Sequence, residues 1–365
     1  MHKQPLNAIP PTLASVFDYE RLAQERMTPQ AWAYISGGSG DELTLKRNRE
    51  KLDGLCLLPS SLSKVTDGNT KTTLLGQQFE HPIISAPIAY QKLAHPEGEV
   101  ATAMATEAQG GLFIMSTLAS CLFEDVAGQV ESPRWFQLYI QPTRAQTLKL
   151  IQQAERNLFS ALVITIDSPI NGLRNREQRA EFVLPPGVRA VNIDKPQAIT
   201  HPGEGRSLVF QGVMAQAPCW SDIAYIRQHT ALPIILKGIL NPRDAEKAAR
   251  AGVAGIVVSN HGGRALDGVP SPVEMLPTIR NIVGEDMLVL ADSGVRRGAD
   301  IVKLIALGAD AVLVGRPIMY ALATAGALGV AHCIRLLRDE LEMTMALCGF
   351  ESVTQIDESC LWNAP

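Results

Sequence analysis

Eight short apolar runs, separated by longer amphipathic stretches, constrain the fold of this chain more than any other feature. They are Ile83 to Pro87, Leu112 to Ser116, Trp135 to Tyr139, Leu162 to Asp167, Pro233 to Lys237, Gly255 to Ser259, Met287 to Asp292 and Ala311 to Gly315. Such alternation marks repeated βα units around a parallel sheet, and eight units close a (β/α)8 barrel. The expected fold class is therefore α/β, a TIM barrel over residues 81–356. Residues 1–80 read as an N-terminal helical extension with an irregular strand-like segment, packed on the barrel, and 357–365 as a C-terminal tail. Helices are expected over Glu97 to Gln109, Thr143 to Arg156, Pro242 to Ala251, Gly298 to Leu307 and Ala331 to Leu347; Asn241-Pro242 supplies a start signal with proline at the first helical position. One connection breaks the rhythm. Residues 168–232, rich in Pro and Gly around Leu184-Pro-Pro-Gly187 and His201-Pro-Gly203, read as a lid, a binding loop or a disordered insertion.

The chain has 365 residues, 46% hydrophobic and 19% charged, enough for a large buried core. Its net charge of -4 leaves no global basic field, so neither nucleic acid nor an anionic membrane is the expected partner; local arginines must carry any anion binding. The six cysteines show no C-x-x-C and no His spacing that suggests zinc, so reduced thiols and no metal are expected. The start lacks the apolar core of a signal peptide, which points to the cytoplasm. The apolar stretch Ile318 to Ile334, interrupted by glycines, reads as a buried helix and turn rather than a membrane span.

Barrel enzymes keep their chemistry at the C-terminal ends of the strands. Ser116, Gln137 with Tyr139, Thr165 with Asp167, Lys237, Ser259 with His261, Asp292 and Arg316 close runs two through eight. Within Ser259-Asn-His-Gly-Gly-Arg264, His261 is a possible base and Arg264 a two-pronged clamp for a carboxylate. Taken alone, that motif reads better as a turn with a solvated His and Arg; its place at the end of a buried strand, among the other strand-end residues, argues otherwise. Asp292-Ser-Gly-Val-Arg-Arg-Gly298 and Gly315-Arg316 follow strands seven and eight, where such barrels bind phosphate. There is no G-x-G-x-x-G after a strand and no P-loop. Lys237 has three readings: a Schiff-base nucleophile as in barrel aldolases, a fixed cation beside an electron-rich cofactor, or a snorkelling structural lysine.

These motifs, with Leu232-Pro-Ile-Ile-Leu-Lys-Gly238, Phe136-Gln-Leu-Tyr139, Ala94-His-Pro-Glu-Gly-Glu99 and Tyr34-Ile-Ser-Gly-Gly-Ser-Gly-Asp41, resemble the FMN-dependent L-2-hydroxy acid oxidases and dehydrogenases, the group containing lactate oxidase and glycolate oxidase. The resemblance runs in order from about Phe17 to Ile356. It implies that Pro87, Ile88 and Ala89 lie against the flavin of FMN, with Ser116, Gln137, Thr165, Lys237 and Ser259 bonding its ring or ribityl chain. It places the phosphate on Asp292, Ser293, Gly294, Val295 and Arg296 and on Gly315 and Arg316. Arg174 and Arg264 would clamp the substrate carboxylate, helped by Tyr34; Tyr139 would bond the 2-hydroxyl; and His261 would be the base, oriented by Asp167. The implied substrate is L-lactate or another short 2-hydroxy acid.

Four positions depart from or refine that pattern. Ser293 stands where the family commonly has Gly, a change expected to perturb phosphate binding little. Tyr90 is bulkier than the residue usual in lactate oxidase, and Leu118 replaces the aromatic of glycolate oxidase, so the preferred substrate side chain is open. Ala89 is similar to the oxygen-using members, where several dehydrogenases have Gly, which favours an oxidase consuming O2 and producing hydrogen peroxide. Residues 183–219 carry no apolar anchor like that of the membrane-bound mandelate dehydrogenase, and the resemblance implies a homotetramer. The other readings are a dehydrogenase passing electrons to a quinone or other acceptor, a Schiff-base aldolase, and a non-catalytic barrel that binds a phosphate ligand.

Overall fold

The computed structural model describes residues 3–194 and 205–362. Its strands in chain order are β1 (Cys56–Leu57), β2 (Thr72–Leu74), β3 (Gln77–Phe79), β4 (Ile83–Ser85), β5 (Leu112–Ser116), β6 (Arg134–Leu138), β7 (Leu162–Thr165), β8 (Ile234–Ile239), β9 (Gly255–Val258), β10 (Leu288–Ala291), β11 (Ala311–Val314) and β12 (Leu361–Trp362). Strands β4 to β11 form a closed parallel barrel. Every one of the eight expected runs supplies a strand of it.

The helices are α1 (Val16–Gln24), α2 (Pro29–Ser36), α3 (Leu43–Gly54), α4 (Gly98–Ala108), α5 (Phe123–Ala127), α6 (Arg144–Arg156), α7 (Asn175–Arg179), α8 (Trp220–Arg227), α9 (Pro242–Arg250), α10 (Pro272–Val283), α11 (Gly298–Ala306) and α12 (Arg316–Cys348). Helix α9 starts as its sequence predicts, with the Asn241 side chain accepting from Arg243 N and Pro242 at the first position. Helices α5, α7, α8 and α10 were not among the expected ones. Helix α12 is kinked where Ala325 and Gly326 leave helical geometry. Among the described residues it is the one helix long and apolar enough to cross a membrane, yet it is largely buried, packed on α1, α4 and α11.

Side chains alternate across a strand, and that period builds the site. Ile84, Leu112, Ile114, Trp135, Val163, Ile235, Val257, Leu290 and Leu313 fill the barrel interior, whereas Phe113, Met115, Phe136, Ile164, Leu236, Ile256, Val289 and Val312 face the helices. Each fully buried side chain of this size stabilises the fold by about 1.5–3 kcal/mol. Two residues beyond the last interior apolar residue, the same column turns polar: Ile114 leads to Ser116, Trp135 to Gln137, Val163 to Thr165, Ile235 to Lys237, Val257 to Ser259 and Leu290 to Asp292. The polar ring at the C-terminal mouth is thus the top layer of the core. At the opposite mouth the β2–β3 hairpin inserts Leu74 and Phe79 into the interior cluster and closes it.

Strand β8 continues two residues past Lys237, through a register shift at Gly238. The long connection after β7 contains α7, a turn of π-helix over Leu208–Val213 and α8. The π-helical turn exposes Leu208, Val209 and Phe210, far short of a membrane anchor. The expected His201-Pro-Gly203 turn lies outside the described residues. At the C-terminus β12 pairs antiparallel with β1, Cys56 opposite Trp362, tying the tail to the N-terminal extension.

Candidate active site

A cavity at the C-terminal mouth gathers nearly all the residues singled out from the sequence. It is lined by Tyr34, Pro87, Ile88, Ala89, Ser116, Gln137, Tyr139, Thr165, Arg174, Lys237, His261, Arg264, Asp292, Ser293, Gly294, Val295, Arg296, Gly315 and Arg316. The two that do not line it are Asp167 and Ser259, which stand behind His261 and Lys237 respectively. Ser259 is fully buried, so in this structure it supports other side chains rather than facing the cavity.

His261 opens a turn just after β9 with φ +59°, followed by Gly262 and Gly263 at φ +64° and +74°. A residue with a Cβ in this region costs about 1–2 kcal/mol. Surrounding contacts hold it there: the buried amides of Asn48 and Asn260 exchange hydrogen bonds at 3.0 and 2.7 Å, and Gly263 N–H donates to Asn260 Oδ1 at 3.0 Å. Helix α3, which carries Asn48, thereby anchors the turn. His261 Nδ1 lies 2.8 Å from Asp167 Oδ1, which leaves Nε2 for the cavity. Burial works to raise the Asp167 carboxyl, but the charges of His261 and Lys237 and hydrogen bonds from His261 and Ser168 more than offset it and hold it below the usual range.

Lys237 Nζ donates to Ser259 Oγ at 2.9 Å and sits 3.1 Å from Asp292 Oδ2. Burial pushes against its charge, yet Asp292 and Asp167 prevail and raise it above an ordinary lysine. A Schiff-base nucleophile requires the opposite, an amine whose proton is easily lost. Among the three sequence readings, the geometry matches the fixed cation.

The arginines form a second cluster. Arg264 Nη1 donates to the carbonyls of Tyr34 at 2.6 Å and Gly37 at 2.8 Å, its Nη2 donates to Glu177 Oε1 at 3.1 Å, and its guanidinium lies 5.0 Å from the Tyr34 ring centre. Arg174 Nε is 3.9 Å from the same Glu177 oxygen, and Arg174 Nη1 is buried with no hydrogen-bond partner among the described residues. Burial and the like charge of Arg264 pull Arg174 down to about 10. An anion between the two would relieve both effects. Tyr34 stacks on Phe182 at 4.6 Å and meets Tyr90 at 6.1 Å; burial pushes its hydroxyl up to about 12, so it is a neutral donor at physiological pH. Burial and the nearby Asp167 raise Tyr139 in the same direction.

Below the mouth, Arg316 donates to three carbonyls, those of Ile35 at 3.1 Å, Gly262 at 2.9 Å and Gly37 at 2.7 Å. Among the described residues no carboxylate forms an ion pair with it, and burial together with Arg264 and Arg296 lowers it to about 9. Gly294, φ +91°, lets this loop press on α3, since a Cβ there would come within 2.7 Å of Asn48 O.

Sequence reading missed Ile35, Ala86, Ser168, Asn171, Leu313 and Met319 in the lining, and Glu177 between the arginines. Leu313 follows from the two-residue period that ends at Gly315; Arg174-x-x-Glu177 was visible as a helical i,i+3 pair. Ser168 and Asn171 lie on irregular backbone with no period to mark them. Among the described residues, no group of three or more His, Cys, Asp or Glu is placed to hold a metal ion.

Comparison with known proteins matches residues 23–363 to the family described as FMN-dependent dehydrogenase. The chain is 44% identical to an L-lactate oxidase of Alicycliphilus denitrificans, over 98% of each chain. It is 42% identical to a 4-hydroxymandelate oxidase of Amycolatopsis orientalis, over 94% of this chain and 96% of that one. Among solved structures, a mandelate oxidase with benzoyl-formic acid superposes with a TM-score of 0.87 at 40% identity, covering 96% of this chain and 98% of the other.

Proposed function

Because the chain belongs to the family of FMN-dependent dehydrogenases, we propose that it oxidises an L-2-hydroxy acid, L-lactate or another short one, to the 2-oxo acid. Oxygen is the proposed electron acceptor and hydrogen peroxide the second product. One observation carries this reading: His261, backed by Asp167 at 2.8 Å, opens on the same cavity as Lys237 and an Arg174 whose buried Nη1 has no partner among the described residues. A base, a carboxylate site and a cation for an electron-rich ring are the three parts that such an oxidation needs. The full-length similarity to an L-lactate oxidase supports the substrate class.

The residues present fit FMN. Arg316, buried and without an ion-paired carboxylate among the described residues, lies beside Arg264 and Arg296, an excess of positive charge that a phosphate would balance. Arg296, Arg316 and the segment from Asp292 to Val295 would hold that phosphate. Ser116, Gln137 and Thr165, already joined in a chain of hydrogen bonds at 3.2 and 3.0 Å, offer the mixed donors and acceptors that suit a flavin ring, with Lys237 as its cation. When bound, FMN supplies the two-electron acceptor.

The chain's own residues do the rest. Arg174 and Arg264 fix the substrate carboxylate, and the neutral Tyr34 adds a donor. Tyr139 orients the 2-hydroxyl. Nε2 of His261 receives the proton that leaves the substrate, and Asp167 stabilises the imidazolium so formed. Tyr34 and Leu118 line the space left for the substrate side chain, and Phe182 stacks on Tyr34. A homotetramer is part of the same proposal and rests on the sequence resemblance alone; a cytoplasmic location is proposed with it from the reading of the sequence.

The test is a substrate panel on the FMN-loaded protein in air, with peroxide and 2-oxo acid both measured. Equal yields of the two from L-lactate or a close homologue, and none from the D-isomer, are expected. Turnover with a dye but not with oxygen would overturn the choice of acceptor, and preference for mandelate would overturn the choice of a short acid.

A further inference from the structure

We infer that Ser293 is a positioning residue that couples the Lys237 cation to the turn carrying His261. This goes beyond the proposed function but rests on its placement of FMN over Lys237.

The Asp292 carboxylate is engaged on both oxygens. Lys237 Nζ at 3.1 Å and Ser259 Oγ at 2.9 Å meet Oδ2, while Ser293 Oγ donates to Oδ1 at 2.7 Å. The two hydroxyls also receive consecutive amides of the turn: His261 N–H donates to Ser259 Oγ at 3.0 Å and Gly262 N–H to Ser293 Oγ at 3.1 Å. One carboxylate thus binds the lysine on one side and, through two serines, the backbone of the base on the other. All four side chains are buried, where such a chain of hydrogen bonds is electrostatically strong.

Ser293 adopts φ +79°, a conformation that favours glycine. A glycine would relieve that strain but would supply no hydroxyl, so the strained residue is retained together with two hydrogen bonds. The hydroxyl's bond to Oδ1 disperses the charge of Asp292. With less charge concentrated on the carboxylate, Lys237 is less completely neutralised and stabilises a reduced, negatively charged ring more strongly. Ser293 therefore raises the reduction potential of the bound flavin and steadies the His261 turn at the same time.

The test uses the FMN-loaded wild type with Ser293→Gly and Ser293→Ala, reading the midpoint potential against a reference dye and the melting temperature. Both variants lack the hydroxyl, but only alanine keeps the strained Cβ. Both should show the same fall in potential, with kcat/KM down on the order of tenfold, the scale of one hydrogen bond to a charged group. Melting temperature should instead separate them, glycine above alanine. A flavin-loaded wild type with unchanged potential in both variants would overturn the inference alone, as would a potential that follows melting temperature. A wild type that binds no FMN would overturn the reading of the site and this inference with it.

Discussion

Gly238 stands where a Cβ would come within 2.5 Å of both Cβ and Cγ of Asp167. Its φ of +105° and the register shift in β8 place it there, directly after Lys237. The bare backbone lets Asp167 reach His261. Gly238→Ala should push the carboxylate off the imidazole and lower kcat on the order of a hundredfold, the scale of a misplacement near 1 Å, with KM changed far less. Steady-state kinetics on a folded, flavin-loaded variant checks this; an unaltered kcat would separate Asp167 from catalysis.

Arg174 lines the cavity and carries a buried Nη1 that has no hydrogen-bond partner among the described residues. Arg174→Met should raise KM for the hydroxy acid by roughly ten- to a hundredfold, since a hydrogen bond to a charged group contributes about 1.5–3 kcal/mol. Flavin content should be unaffected. Absorbance of the loaded protein and substrate saturation curves give both readings from one preparation.

Glu177 holds the same two arginines that the substrate is expected to use. It opposes any second carboxylate there. Glu177→Gln should therefore tighten binding of the 2-oxo acid product, on the order of tenfold, and slow its release so that kcat and KM fall together. Weaker product binding would mean that Glu177 serves mainly to align the arginines.

Glu274 links stability to pH. Paired with Arg47 through two contacts of 2.6 Å and accepting from Ser271 N–H at the start of α10, its carboxyl is lowered to about 2. A depressed folded-state pKa contributes stability fully above the unfolded-state value and loses it as pH falls through the folded one. The melting-temperature gap between wild type and Glu274→Gln should thus be widest near pH 7 and shrink steadily from about pH 4.5 towards 2. A gap independent of pH would contradict the ion pair.

The barrel was legible because each strand is an apolar run whose inner column ends in a polar residue, so that one period located both the core and the reactive ring. Where that period stops, reading stops. Lys237 looked like a strand end because Gly238 interrupts the apolar run, yet β8 resumes at Ile239 by way of a bulge. Helix α10 carries Pro277 inside it, which obscures its helical pattern in the sequence, although Ser271 and Glu274 form a start signal. Ser259 ends its strand as Thr165 does, but the sequence does not show that its hydroxyl is buried against Lys237 and Asp292. For Ser293 the sequence speaks only to phosphate binding, since it shows the residue's identity but not its φ or the two hydrogen bonds that come with it.

The most direct measurement is the visible spectrum of the FMN-loaded protein mixed anaerobically with L-lactate and then exposed to air. The site described here predicts that flavin absorbance bleaches on mixing and returns with oxygen, while His261→Ala binds FMN but bleaches at least a hundredfold more slowly, within the usual range for loss of a general base. A wild type that binds no FMN, or a His261→Ala variant that bleaches as fast as wild type, would contradict it.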